Sequence, residues 1–432
     1  MTIAGSDSGG GAGIQADVRT FAALGVHGTS VLTAITAQNT LGVADALSLP
    51  PDVVVAQINA ILSDIDIRCA KTGMLSTVET ADAVIEVLSQ CDFPIVVDPV
   101  MEAEAGGKLM TGKPKDVLAR LLPNAAVVTP NIREAEAISG ISIHNLDDMK
   151  RAACEIFAFG PKAVVVTGGH LSGTDVLYDG DFELLHGKLI KAGTHGAGDT
   201  FSAAAASFLA KGHSVSQSVS KAKAFVTKAI KNSERVGSGS GVVNQVAATL
   251  DTAERYLTLL DLDAGLRTIK AINSDLIPER GSNLAMAISR ARKVADVAAV
   301  KGRIVKVRGT ITPVGCVAFG ASRTMARVVL TALRYDPTLK GAMSVRSSDE
   351  VIVACQELNL ITEGFDRADE LEGSIEGLET SRAIESSMNS GAGIPDVIFN
   401  RSSKAREPMA YILGHSAQHV AEKVAKISSM II

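Results

Sequence analysis

The chain has 432 residues, 46% of them hydrophobic, only 3% aromatic, no Trp, and a formal charge of −5. That length exceeds one ordinary domain, and its core must be built from Ala, Val, Ile and Leu. The acidic balance supplies no basic face for nucleic acid, and no apolar run approaches the ~20 residues that span a bilayer. Five scattered cysteines without a CxxC pair argue against a zinc site or a disulfide framework and suit a reducing cytoplasm. The first residues, Met1–Asp7, carry no basic or apolar leader pattern.

In chain order, the first feature is a glycine cluster, Ala4-Gly5-Ser6-Asp7-Ser8-Gly9-Gly10-Gly11-Ala12-Gly13, between a short apolar strand and a helix. It lacks the Gly-Lys-Ser/Thr ending of a P-loop, and no acid closes a proper second strand as a dinucleotide fingerprint requires. Its glycines fit a backbone that passes close to a flat substrate. Asp17, one turn into the helix, is either a partner for ring nitrogens and an amino group or a surface acid in a first turn. Lys71-Thr72-Gly73-Met74-Leu75 puts Met74 beside a glycine turn, as core or as a ligand contact. Val78–Leu88 has a helical pattern.

Ile95–Asp98, Ala125–Thr129 and Ala163–Thr167 are short, β-branched and apolar on both faces, as interior strands of a parallel sheet are. Alternating strands and helices predict a doubly covered, mainly parallel α/β sheet with ligands at the carboxyl ends of its strands. Asp98 ends one such strand and either faces a phosphate–metal region or caps a turn. Asn131 and Glu134 open a helix after another. Their spacing is first that of a capping box, and it also suits two oxygen ligands for hydrated Mg²⁺.

The most informative stretch is Gly193-Thr194-His195-Gly196-Ala197-Gly198-Asp199-Thr200, followed by an Ala-rich buried helix expected to start near Asp199 or Thr200. Bare N–H groups at a helix start bind anions. An acid there would repel phosphate unless it takes the proton of a hydroxyl that attacks phosphorus, which points to a kinase acting on a small alcohol. Gly237-Ser238-Gly239-Ser240-Gly241 reads as a flexible linker or a tight loop, and divides the chain into domains 1–240 and 241–432.

The second half opens with an amphipathic helix over 251–272, with Leu257, Leu260 and Ile269 on shared faces. Strand–helix signals follow at Ile304–Val307 and Val328–Leu330. Ser322 is an N-cap, and with Arg323 makes either a phosphate site or an ordinary capped helix start. Asn400–Met409 is a basic loop of the solvated kind.

Residues 1 to about 235 resemble the hydroxymethylpyrimidine/phosphomethylpyrimidine kinases of the ribokinase superfamily. The matches are Ala4-Gly5-Ser6-Asp7, Gly10–Asp17, Thr33–Thr40, Lys71–Leu75, Asp98-Pro99-Val100-Met101, Thr129-Pro130-Asn131 and Gly168-Gly169-His170. The resemblance implies a ribokinase-like fold, ATP and Mg²⁺ as cofactors, and two successive phosphorylations of 4-amino-5-hydroxymethyl-2-methylpyrimidine in thiamine biosynthesis. It assigns Gly5, Asp17, Gln38 and Met74 to the pyrimidine. Asp98, Asn131, Glu134, Thr167 and Gly168 fall to ATP and Mg²⁺. Gly196, Ala197 and Gly198 would form the anion hole, with Asp199 as base. Many bacterial members carry Cys at the place of Asp199, and many carry Lys at that of Thr167. Gln38 and Met74 speak against a pyridoxal-type kinase, the neighbouring alternative, and family members are commonly dimers.

Residues 255 to 430 resemble ThiN, a second α/β domain of thiamine phosphate synthases. The matches are Gly302-Arg303, Phe319–Arg323, Tyr335-Asp336-Pro337, Ala342-Met343, Phe365-Asp366-Arg367, Pro395–Ile398 and Glu407-Pro408-Met409. The resemblance implies condensation of the pyrimidine diphosphate with thiazole phosphate, with Arg303, Ser322 and Arg323 at phosphates. Active ThiN domains follow Ser-Arg with His, where this chain has Thr324, and the stretch Glu376–Ser381 also departs from the pattern. The domain is therefore either a weakened synthase or a module that binds thiamine phosphates.

Overall fold

A computed structural model describes residues 1–101, 114–169, 171, 173–365, 381–382, 384–386, 394–400 and 407–431. His170, Asp366, Arg367, the altered stretch 376–380 and most of the basic loop 400–409 lie outside them. The chain divides into two compact units, Met1–Thr249 and Leu250–Ile432.

Unit 1 holds strands β1 (Thr2–Asp7), β2 (Ser30–Asn39), β3 (Gly42–Ser48), β4 (Ala70–Thr72), β5 (Ile95–Val97), β6 (Val127–Val128), β7 (Val164–Val166), β8 (Asp175–Tyr178) and β9 (Phe182–Leu185). They form one nine-stranded sheet in the order β3-β2-β1-β4-β5-β6-β7-β8-β9. Pairing is parallel from β2 through β7, with antiparallel β3 at one edge and β8 and β9 at the other. Among the described residues, eight helices accompany it: α1 (Gly13–Ala23), α2 (Pro51–Leu62), α3 (Val78–Leu88), α4 (Pro114–Leu121), α5 (Ile132–Ser139), α6 (Leu146–Phe157), α7 (Ala197–Ala210) and α8 (Val215–Lys231).

The period of two along each strand decides which residue meets which helix layer. Ile95 and Val97 pack with Val54, Val84 and Ile138 from α2, α3 and α5. Val96 points the other way, against Phe21 of α1 and Ala203 and Ala206 of α7. Lys71 is in register with Val96, so a lysine faces the α1–α7 side of an apolar sheet. The alanines of α7 let that helix lie close to the strands.

The glycine-serine stretch 237–241 is a tight loop within unit 1, not a linker. The Gly239 amide donates to Thr40 Oγ1 at 3.2 Å and the Ser240 amide to Thr40 O at 3.2 Å. A Cβ on Gly239 would lie 1.8 Å from that carbonyl oxygen.

Unit 2 holds β10 (Leu284–Ala287), β11 (Val297–Val300), β12 (Ile304–Val307), β13 (Thr310–Pro313), β14 (Val317–Phe319), β15 (Gly341–Arg346), β16 (Thr362–Phe365), β17 (Val397–Asn400) and β18 (Met409–Gly414). Seven of these make a sheet ordered β14-β11-β10-β15-β18-β17-β16, antiparallel except for β16 beside β17, and β12–β13 is a separate hairpin. Helices α9 (Ala247–Ile269), α11 (Asp349–Glu357) and the C-terminal helix Ala417–Met430 cover one face, and α10 (Arg323–Tyr335) covers the other. In α9 the buried face is Leu262, Leu266 and Ile269. Leu257 and Leu260 are exposed, so the expected grouping of those two with Ile269 does not hold. Val328–Leu330 belong to α10 and form no strand. Among the described residues, no helix is long and apolar enough to cross a membrane.

Candidate active site

Two glycine loops meet at the carboxyl ends of the parallel strands, and Asp7 joins them. Its Oδ1 accepts from the Gly9 amide at 2.8 Å, and its Oδ2 from Gly11 at 2.9 Å and Ala12 at 2.8 Å. His195 Nε2 lies 3.3 Å from Asp7 Oδ2. Burial alone would raise the Asp7 pKa. The His195 contact and the three amides outweigh it and hold the carboxyl below its ordinary value. Gly196 sits in the left-handed region at φ 81°, and a Cβ there would lie 1.9 Å from Gly11 O. Only glycine permits both the turn and the approach.

Gly196 caps α7, which therefore starts at Ala197, earlier than the sequence suggested. Asp199 falls in the first turn with its side chain 16% exposed. Its Oδ1 accepts from Lys71 Nζ at 2.9 Å and its Oδ2 from the Gly13 amide at 3.0 Å. Of the three expected anion-hole positions, Gly196 is buried against the other loop and the Ala197 amide donates to Thr194 O at 2.8 Å. Gly198 is exposed and borders open space, so it is the member of the trio free to meet a phosphate.

Asp17 is the main correction. It is fully buried, neither a surface acid nor a group that reaches substrate. Lys71 Nζ donates to both of its oxygens at 3.0 Å, and Thr2 Oγ1 donates to Oδ2 at 2.6 Å. Lys71 is also fully buried, with Asp98 Oδ2 at 3.9 Å as a third acid. Burial works against the ammonium, but Asp17, Asp199 and Asp98 outweigh it and push its pKa above the ordinary lysine value. A Cβ on Gly73 would stand 3.0 Å from Nζ, so that glycine leaves room for the ammonium. The sequence did carry this signal: a lysine between Ala70 and Thr72 in a buried strand requires partners. Asp7 and His195 each lie inside a glycine-rich motif, but 188 residues of separation hide their contact from the sequence.

Asn131 and Glu134 form a capping box. Asn131 Oδ1 accepts from the Glu134 amide at 3.1 Å, and Glu134 Oε2 accepts from the Asn131 amide at 2.9 Å. The Asn131 side-chain oxygen thus serves as the cap acceptor. Burial, then the neighbouring Asp98 charge, raises the Glu134 pKa. Burial also raises Asp98, to about 6, against the pull of Lys71 and of the Ser202 hydroxyl, which donates to it at 2.8 Å. Asp98, just after β5, and Glu134, in the first turn of α5, are both buried and are oxygen donors of the kind a divalent cation takes. Among the described residues no three His, Cys, Asp or Glu converge as a complete metal set.

Gly5 and Met74 are adjacent and buried, and a Cβ on Gly5 would lie 2.4 Å from Met74 Cε. Gln38 is half-buried beside a bulge in β2, its side-chain oxygen accepting from Thr36 Oγ1 at 3.2 Å. Thr167 pairs with Asn131 through the backbone. The Gly168 amide donates to Asp175 Oδ1 at 2.9 Å, and Lys223 donates to the same oxygen at 2.7 Å. Gly168 is thus held within its own loop.

In unit 2, Ser322 caps α10 by accepting from the Met325 amide at 3.3 Å, and Arg323 beside it is exposed. Arg303 is exposed and donates to Arg280 O. Val300 pairs with Val317 and Ala298 with Phe319. Arg303, after β11, and Arg323, after β14, therefore stand beyond opposite ends of one antiparallel ladder.

A doubly covered parallel sheet, two interlocked glycine loops and an acid at a helix start define a phosphotransferase of the ribokinase-like type. Residues 7–244 match the family model described as phosphomethylpyrimidine kinase, and the chain belongs to that family. Residues 261–426 match thiamine-phosphate synthase ThiN. The hydroxymethylpyrimidine/phosphomethylpyrimidine kinase of Streptomyces coelicolor is 46% identical over 56% of this chain and 93% of its own length. The thiamine biosynthesis bifunctional protein ThiED of Geobacter sulfurreducens is 42% identical over 59% of this chain and 54% of its own. Among solved structures, the Staphylococcus aureus pyridoxal kinase in complex with pyridoxal is 38% identical with a TM-score of 0.53, covering 57% of this chain and 93% of that one.

Proposed function

We propose that unit 1 transfers the γ-phosphoryl of ATP to the hydroxymethyl group of 4-amino-5-hydroxymethyl-2-methylpyrimidine, and then to the monophosphate so formed. The observation that carries this reading is Asp199, held through both oxygens in the first turn of α7 next to the open Gly198. Asp199 accepts the hydroxyl proton as the substrate oxygen bonds to phosphorus and the bond to the ADP oxygen breaks. The Gly198 amide holds charge on the transferred group. Gly5, Gln38 and Met74 form the wall for the ring.

Asp98 and Glu134 are the residues that would hold Mg²⁺, with phosphate oxygens and water completing its shell. When bound there, it would neutralise phosphate charge beside these two acids. A reducing cytoplasm suits the cysteines, which are free. The family resemblance favours a homodimer.

For unit 2 we favour ligand binding over turnover. Thr324 offers no imidazole, and the two arginines stand apart. Incubation with the pyrimidine alcohol, Mg-ATP and thiazole phosphate tests both halves. Mono- and diphosphate without thiamine phosphate is the expected result. Thiamine phosphate would establish a working synthase. A preference for pyridoxal, the ligand named for the Staphylococcus aureus relative, would overturn the substrate assignment.

A further inference from the structure

We propose that Lys71, with Asp17 as its permanent buried counter-ion, is the positioning residue that fixes Asp199 for proton transfer. The inference rests on the reading of Asp199 as proton acceptor. Three observations carry it. Lys71 spans 3.0 Å to Asp17 and 2.9 Å to Asp199, so it ties α1 to α7 across the end of β4. Asp17 is fully buried, and both its oxygens are bonded within the protein, so it has no route to substrate. The strand gives the ammonium a place of its own, because Gly73 leaves open the space a Cβ would fill.

The division of labour follows from charge. Asp199 must gain a proton from the substrate hydroxyl and later return it to water. While it is neutral, the ammonium loses one anionic partner. Asp17 remains at 3.0 Å, and Asp98 at 3.9 Å, so Lys71 does not swing away. The carboxylate keeps lone pairs for the substrate, because Lys71 and the Gly13 amide each use one site on different oxygens. Misplacing such a group by ~1 Å can cost on the order of 10²-fold in rate.

The experiment compares Asp17→Asn, Lys71→Met, the double variant and Asp199→Asn. Each is assayed with the pyrimidine alcohol and Mg-ATP for kcat and KM, and melted for Tm. Lys71→Met alone leaves a buried carboxylate unpaired and should lower Tm. The double variant removes both charges and should regain Tm, yet keep kcat down about 10²-fold with KM within about threefold. Asp17→Asn, close to isosteric, should lower kcat about tenfold without raising KM. A double variant that regains both Tm and kcat shows a merely structural pair and overturns the proposal. So does an Asp17→Asn protein with wild-type kcat, or one in which KM rather than kcat changes. Full activity in Asp199→Asn would overturn the underlying reading instead.

Discussion

In unit 1 the sheet gathers Asp17, Lys71, Asp98, Glu134 and Asp199 into one charged cluster, whereas in unit 2 strand pairing carries Arg303 and Arg323 to opposite ends of the β11–β14 ladder. The cause is topology. Parallel strands all end on the same side, so every loop after a strand contributes to one crevice. Antiparallel neighbours end alternately at the two sides, so residues after successive strands diverge. A motif after a strand is therefore a guide to a shared site in unit 1, but not in unit 2.

The largest test of that contrast is Asp199→Asn. The first phosphorylation should lose ~10²–10⁴ in kcat, about 3–5 kcal/mol, while the second, whose nucleophile is already an oxyanion, loses less. Product analysis for each step decides it, and equal losses would remove the proton-transfer role.

Next comes Gly196→Ala, which meets Gly11 O and a left-handed φ of 81°. It should cost about 1–3 kcal/mol or more and lower the melting transition of unit 1 by roughly 5–10 °C. Calorimetry should leave the unit 2 transition in place. Movement of both would mean that the units unfold together.

A smaller effect concerns Mg²⁺ and pH. Asp98 is raised from 3.8 to about 6, and Glu134 is raised as well. Such groups add stability below their unfolded pKa and lose that contribution as pH rises through the folded value. Above about pH 6 the buried Asp98 charge weighs on unit 1, and a cation should relieve it. Mg²⁺ should therefore raise Tm more at about pH 7.5 than at about pH 4.5, and Asp98→Asn with Glu134→Gln should abolish the difference. Asp7 shifts the opposite way, so its contribution is lost only in stronger acid.

The smallest expected quantity is the coupling between Arg303→Ala and Arg323→Ala in calorimetric binding of thiamine phosphate to the full chain. Separated sites should add within about 0.5 kcal/mol. Coupling above about 1 kcal/mol would mean that both reach one ligand.

The local code was readable in the sequence. Helix α3 spans the Val78–Leu88 pattern, and the Ala-rich run after Asp199 is α7. Composition and spacing also located the glycine loops and Asp199. Pairings at long separation were not readable. Lys71 and Asp17 are 54 residues apart, and a lone acid in a first helical turn reads the same whether it faces water or a lysine. Asn131 and Glu134 show the converse, since one spacing serves a cap and a cation site. The cap bonds are present, and only the repulsion with Asp98 speaks for the cation.

The backbones of Glu234 and Val242 exchange hydrogen bonds of 2.9 Å, and His195 bonds to Gly241 and Val243 on the same stretch. The glycine-serine run that looks like a seam is thus a wall behind the histidine that clasps Asp7. A gene fusion that spliced a new module into that run would have cut away part of the kinase it was joined to. Any workable joint lies downstream of Val243, and the same limit applies to anyone excising the first unit to stand alone.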